Sequence, residues 1–183
     1  MQFKTTQFEG LIECFPTIFA DERGHFYETY HETKFAQNGI KEKFVQDNFS
    51  KSKKGVVRGL HFQHSPHAQG KLVRCMTGKA LDVVVDLRID SPTFGKHDKF
   101  LLDAEVGNML YVPAGFAHGF VALEETIFVY KCTDVWNKNA ESGILWNDKD
   151  LAIDWGVASP IVSDKDLVLP TFQEIASLLQ AQK

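Results

Sequence analysis

Arg58, His61 and Lys71 are the residues of this chain whose types and spacing best suit chemistry. The first two stand on or beside VVRGLHFQ, residues 56–63, a run that otherwise reads as a buried strand; Lys71 follows after the short polar excursion HSPHAQG. Burying a charge without a partner is costly, so polar heads gathered on strand-like sequence are either paired structurally or kept for a ligand. Imidazole changes its charge near neutral pH and is the side chain best suited to taking up a proton there. Period-2 alternation puts His61 and Gln63 on one face and Leu60 and Phe62 on the other, an imidazole pointing into a cavity backed by a packed wall. Strict alternation assigns Arg58 to the wall side, and a bulge at Gly59 would re-aim it.

The elements that must hold these residues are mostly short strands. Phe3 to Ile18 alternates loosely and fits two strands; a charged turn at Asp21 to Gly24 leads into HFYETY; ETKFAQNG reads as a short helix closed by Gly39. KLVRCMTG and KALDVVVDLR are parted by Gly78 in a Thr-Gly turn of hairpin type. Further strands follow, broken at Asp103 to Asn108 and at Pro113 to Gly115, with another in TIFVYKCTDVW. The tail TFQEIASLLQAQ is helical, with a Thr171/Glu174 capping box and an apolar stripe of Phe172, Ile175, Leu178 and Leu179. About ten short strands in one domain over residues 1–183 predict an all-β sandwich or jelly roll, and a jelly roll encloses room for a ligand.

Composition narrows the function classes. A net charge of -4 with both signs interspersed gives no electrostatic reason for nucleic acid or a membrane surface. No apolar segment approaches the ~20 residues of a bilayer span, and MQFKTTQFEG lacks the apolar core of a signal peptide, so a cytoplasmic chain with a small-molecule partner is expected. Cys14, Cys75 and Cys132, an odd number at wide spacing, fit reduced core thiols.

The stretches QDNFSKSKKGVVRGLHFQ, AQGKLVRC, DVVVDLRIDSPTFGK, YVPAGFAHGF, YKCTDVWNKNAESGILWND and SDKD, in this order and spacing, resemble the dTDP-4-dehydrorhamnose 3,5-epimerase family over Phe8 to Pro170. The resemblance implies a cupin-type double-stranded β-helix, or jelly roll, with a short C-terminal helix, working as a homodimer without a cofactor. It implies an isomerase that inverts carbons 3 and 5 of dTDP-4-dehydro-6-deoxy-D-glucose to give dTDP-4-dehydro-L-rhamnose, a step of dTDP-rhamnose or related deoxysugar biosynthesis. Such chemistry needs a base, an acid on the opposite face and a stabiliser of the enolate oxygen. By their positions in the matching motifs, His61 resembles the base, Asp166 its orienting carboxylate and Tyr130 the proton donor. Lys71 is the candidate for the oxygen at carbon 4, with Arg58 and His118 as further contacts. Arg23, Glu28, Gln46, Asp47 and Asn48 resemble the nucleotide-binding set, part of which reaches a neighbouring subunit, and Glu141 and Lys165 match further contact positions. Trp136 stands where the family usually carries a tyrosine that stacks on thymine; indole keeps the flat surface and loses the hydroxyl.

Other readings compete. Pro113, Gly115 and His118 reproduce the PxGxxH half of a metal-cupin pattern, but His61 is followed by Phe62 and Gln63 instead of completing an HxH pair, so no metal is expected. A single-carbon epimerase of the same family and a non-catalytic sugar-binding jelly roll are the remaining alternatives. Lys71 and Arg74 flank an apolar pair and also fit a snorkelling role. Asp82 and Asp86 share a face with Arg88 and are expected to pair with it structurally, without a part in the site.

Overall fold

The computed structural model describes residues 1–181 and contains two sheets packed face to face. Six strands form one layer: β1 (Gln2–Thr5), β2 (Ile12–Phe15), β5 (Gln46–Ser52), β7 (Lys71–Thr77), β10 (Met109–Val112) and β12 (Thr126–Cys132), in the order β1-β2-β10-β7-β12-β5. Five form the other: β6 (Val57–Gln63), β8 (Lys79–Asp86), β9 (His97–Asp103), β11 (Phe116–Ala122) and β13 (Glu141–Gly143), in the order β13-β6-β11-β8-β9. A separate hairpin joins β3 (Phe19–Asp21) to β4 (Gly24–Phe26). All ladders within these sheets are antiparallel. The arrangement is the expected cupin-type jelly roll. It has thirteen strands among the described residues, not about ten, and three of these (β3, β4 and β13) have only three residues, too few to display an alternation.

Alternation sorts the apolar residues into layers. Val73, Cys75, Leu110, Val112 and Phe128 from the six-stranded sheet meet Ala80, Val84, Phe116, Phe120 and Ala122 from the other in the central core. The outer face of the five-stranded sheet (Val57, Leu60, Phe62, Val83, Val85) is covered by Ile144, Leu151, Ile153, Trp155 and Ile175 of the C-terminal third. α1 (Glu32–Gln37) seats Phe35 over Ile12, Leu72 and Met109 on the six-stranded sheet. Cys14, Cys75 and Cys132 are free and buried.

One turn departs from expectation. β7 and β8 do not form a hairpin across Gly78, since they pair within different sheets and the chain crosses the sandwich there. Gly78 has φ +69°, and a Cβ at that position would sit 2.5 Å from the Glu125 carbonyl oxygen. A Thr-Gly pair reports a tight turn but not whether the strands beyond it bond to each other. The closing helix α3 (Phe172–Ala181) has the expected capping box, with Thr171 N–H and Oγ1 2.7 and 2.8 Å from Glu174 Oε2. Its stripe is narrower than expected: Phe172, Ile175 and Leu179 pack on the sheet, whereas Leu178 is exposed. Gln182, also expected in this helix, lies outside the described residues.

Candidate active site

The site begins with an irregularity in β6. His118 pairs with His61 and Phe120 with Arg58, so three steps on β6 oppose two on β11. The extra residue falls at Gly59, which has φ +123° and lies so close to β11 that a Cβ would be 2.6 Å from Gly119 Cα. This is the expected bulge, and it brings Arg58 and His61 onto one cavity although their spacing in a regular strand would oppose them. Leu60 and Phe62 stay in the outer core.

Two adjoining chambers, about 280 and 510 Å³, share His61, Lys71 and Tyr130. In the inner one, His61 Nε2 is 2.6 Å from Asp166 Oδ1. Asp166 lies on α2 (Asp164–Leu167), capped by Ser163, whose Oγ accepts from the Asp166 N–H at 3.2 Å. Burial acts to raise the Asp166 carboxyl, but the hydrogen bonds from His61, the Gly59 N–H and Ser163 together hold it below the usual carboxylate range. An ionised carboxylate on Nε2 keeps the proton on that nitrogen and leaves Nδ1 with its lone pair, the state in which an imidazole takes up a proton. Tyr130 faces these groups from β12, on the other sheet, and burial raises its phenol, so it stays protonated at neutral pH. The Lys71 ammonium lies 5.9 Å from the Tyr130 ring centroid. Burial lowers its pKa, opposed by Cys132, Asp82 and Glu141. Arg58 Nε donates to Ser52 Oγ at 3.0 Å at the chamber's edge.

His118 also lines this chamber, and its Nε2 is 2.7 Å from Asp82 Oδ2. Asp82 therefore does not pair with Arg88 as expected; only Asp86 does, at 2.7 Å. Asp82 is fully buried, its Oδ1 has no hydrogen-bond partner, and desolvation raises its pKa against the pull of His118 and Lys71. Its signal in the sequence is a carboxylate in the middle of an apolar strand, two turns of the alternation before Asp86 and on the same face.

The outer chamber is lined by Gln46, Asn48, Gln63, Gln69, Trp136 and Glu141. Lys165 Nζ is 2.7 Å from Glu141 Oε1 and lines the inner chamber. Three of the residues singled out from the sequence are not brought here. Asp47 sits on the opposite face of β5 and binds Lys131 at 3.0 Å, because neighbouring residues of a strand point to opposite sides. Glu28 bonds Lys34 at 2.9 Å, and Arg23, on the turn between β3 and β4, bonds Asp21; neither lines the two chambers. Among the described residues no three His, Cys, Asp or Glu side chains gather as a metal site.

Residues 5–174 match the family model described as dTDP-4-dehydrorhamnose 3,5-epimerase. The chain belongs to this epimerase family. The Shigella flexneri dTDP-4-dehydrorhamnose 3,5-epimerase is 53% identical over 164 residues, covering 88% of this chain and 91% of that protein. The crystal structure of the epimerase from Elizabethkingia anophelis NUHP1 superposes with a TM-score of 0.91 at 48% identity, covering 95% of this chain and 97% of the other. The Legionella pneumophila epimerase, solved in complex with dTDP-4-keto-L-rhamnose, gives a TM-score of 0.92 at 42% identity, covering 97% and 96%.

Proposed function

We propose that this member of the epimerase family inverts carbons 3 and 5 of dTDP-4-dehydro-6-deoxy-D-glucose, yielding dTDP-4-dehydro-L-rhamnose. What carries this reading is the placement of His61 on one sheet, bonded to the Asp166 carboxylate of α2, and of a protonated phenol on the other sheet, with a single cavity between them. A ketone at carbon 4 acidifies the hydrogens on both neighbouring carbons. His61 removes each proton with Asp166 holding its tautomer, and Lys71 meets the negative charge that develops on the carbon-4 oxygen. Tyr130 returns a proton from the opposite face; the phenolate then takes a proton from solvent while the His61 imidazolium gives its own up to solvent, which restores both groups for the second carbon. The nucleotide lies in the outer chamber, with its base on Trp136.

The same reading extends to a homodimer. Arg23, 84% exposed in its side chain, stands away from its own chambers on a hairpin that exposes Phe19 and Phe26. In the dimer this hairpin reaches the neighbouring subunit, where the guanidinium meets the diphosphate through its two-pronged fork.

Turnover of the 4-keto sugar nucleotide in deuterated water tests the assignment. His61→Ala should abolish deuterium entry at both carbons, with loss of the roughly 10²- to 10⁴-fold that general-base catalysis supplies. Tyr130→Phe should still exchange, but with retained configuration and a deficit of inverted product, most clearly at carbon 5. Exchange suppressed equally by both substitutions would place Tyr130 in enolate formation and overturn this division of roles.

A further inference from the structure

Gln63 lies two residues beyond His61 on β6 and is only 6% exposed, yet it makes no contact with the His61–Asp166 pair that any hydrogen bond records. Its amide is instead fully engaged with backbone. Nε2 donates to the His67 carbonyl at 2.6 Å and to the Val135 carbonyl at 3.2 Å, and Oε1 accepts from the Asn137 N–H at 2.8 Å. Two of these three partners immediately flank Trp136. The Trp136 N–H is itself taken, donating to Gln46 Oε1 at 2.8 Å, while Gln46 Nε2 donates to Asn48 Oδ1 at 3.1 Å.

Residues 135–137 thus tie three consecutive backbone groups to two glutamine side chains, one from each sheet: Gln46 on β5 and Gln63 on β6. The segment between β12 and β13 belongs to no strand, so these bonds replace a ladder as the means of fixing it. The indole they carry is 55% exposed and lines the outer chamber. The ring's own polar tie is the hydrogen bond of its indole N–H to the Glu141 carboxylate, and the rest of its placement is set by whatever holds its backbone. A buried, fully bonded amide is a strong constraint there because each lost partner would leave a desolvated polar group unpaired.

We propose that Gln63 is the positioning residue for nucleotide recognition: it clamps the 135–137 segment so that the Trp136 ring is already set for the base before ligand arrives. This rests on the reading that Trp136 stacks on the base. The strand that presents His61 to the sugar thereby also fixes the platform for the nucleotide, keeping the two ends of one ligand in register.

The test is a double-mutant cycle between Gln63→Met, which keeps the length and removes every bond, and Trp136→Ala, read by dTDP binding and by steady-state kinetics. Gln63→Met should weaken dTDP binding and raise KM about tenfold, the cost of ordering the loop and its ring on binding, while kcat changes less than twofold. Hydrogen exchange at the Trp136 and Asn137 amides should quicken. In the Trp136→Ala background the same substitution should have no further effect on dTDP affinity. Should Gln63→Met fail to fold, Gln63→Glu carries the same test, since it keeps the acceptor for Asn137 but turns oxygen toward two carbonyls. Equal losses with and without Trp136, or a fall in kcat with dTDP affinity unchanged, would overturn the proposal. Trp136→Ala that leaves dTDP affinity intact would instead remove the stacking reading, and a wild-type chain that binds dTDP without epimerising would remove the activity; each outcome is separate from a failure of the clamp.

Discussion

Lys71 is the residue whose role can be separated most cleanly from substrate binding. It stands half-buried between the two chambers, with Asp82, Cys132 and Glu141 as its electrostatic surroundings. If it meets charge that exists only once the enolate forms, Lys71→Met should lower kcat by roughly 10²- to 10³-fold with little change in KM, because the interaction is absent in the ground state. A raised KM with unchanged kcat would make it a binding residue. At this scale the sequence was uneven. His61 was legible because strand alternation leaves one imidazole facing inward among apolar neighbours. The choice of partner was not: the sequence pairs Asp82 with Arg88, six positions away in the chain, whereas its bond is to His118 on the adjacent strand. Alternation says which way a side chain points but not what the fold has brought opposite it. The His61–Asp166 bond joins residues 105 apart, and only motif resemblance pointed to it.

Among the elements, β6 depends on a glycine. Gly59→Ala would force a Cβ to within 2.6 Å of Gly119 Cα at a φ that L side chains avoid, so the bulge must shift or the strands part. A loss of at least about 3 kcal/mol is expected, together with loss of turnover, since Arg58 and His61 would no longer share a cavity. Denaturant unfolding beside activity checks both; a stable, active variant would show the bulge to be dispensable. The end of β8 offers a pH test. Burial works to raise the Asp86 carboxyl, yet hydrogen bonds from Arg88, Ser91 and Thr93 bring it down to about 2. An unfolded aspartate titrates near ~3.9, so this network stabilises the fold fully above about pH 4 and its contribution is lost as the pH falls through about 2. Asp86→Asn should therefore cost about 2 kcal/mol at neutral pH and flatten that part of the acid-denaturation curve. An acid limb identical to wild type would assign the low-pH transition to other groups. Most elements were legible from alternation and turn residues, while the crossing at Gly78 was not, because a local turn carries no record of which sheet the next strand will join.

For the whole molecule, the proposed homodimer completes each site with a residue of the neighbouring chain. Mixing His61→Ala with Arg23→Ala, each inactive alone, should restore part of the activity if the hairpin serves a neighbour, for a hybrid dimer then retains one site with both residues intact. Absence of recovery after verified subunit exchange would argue for self-contained sites. The sandwich has a further consequence. Facing sheets sit about 10 Å apart and core side chains fill most of that space, so it is the cavity of about 280 Å³ between them that offers room for a sugar ring as an intervening layer. His61 stands in one wall and Tyr130 in the other, so under the proposed roles of acceptor and donor the ring's two faces would meet unlike chemistry without the ring turning over. On that assignment, handedness in the product would be written into the thickness of a β-sandwich, and a change that merely spread the sheets would erode stereochemical fidelity before it touched any reacting group.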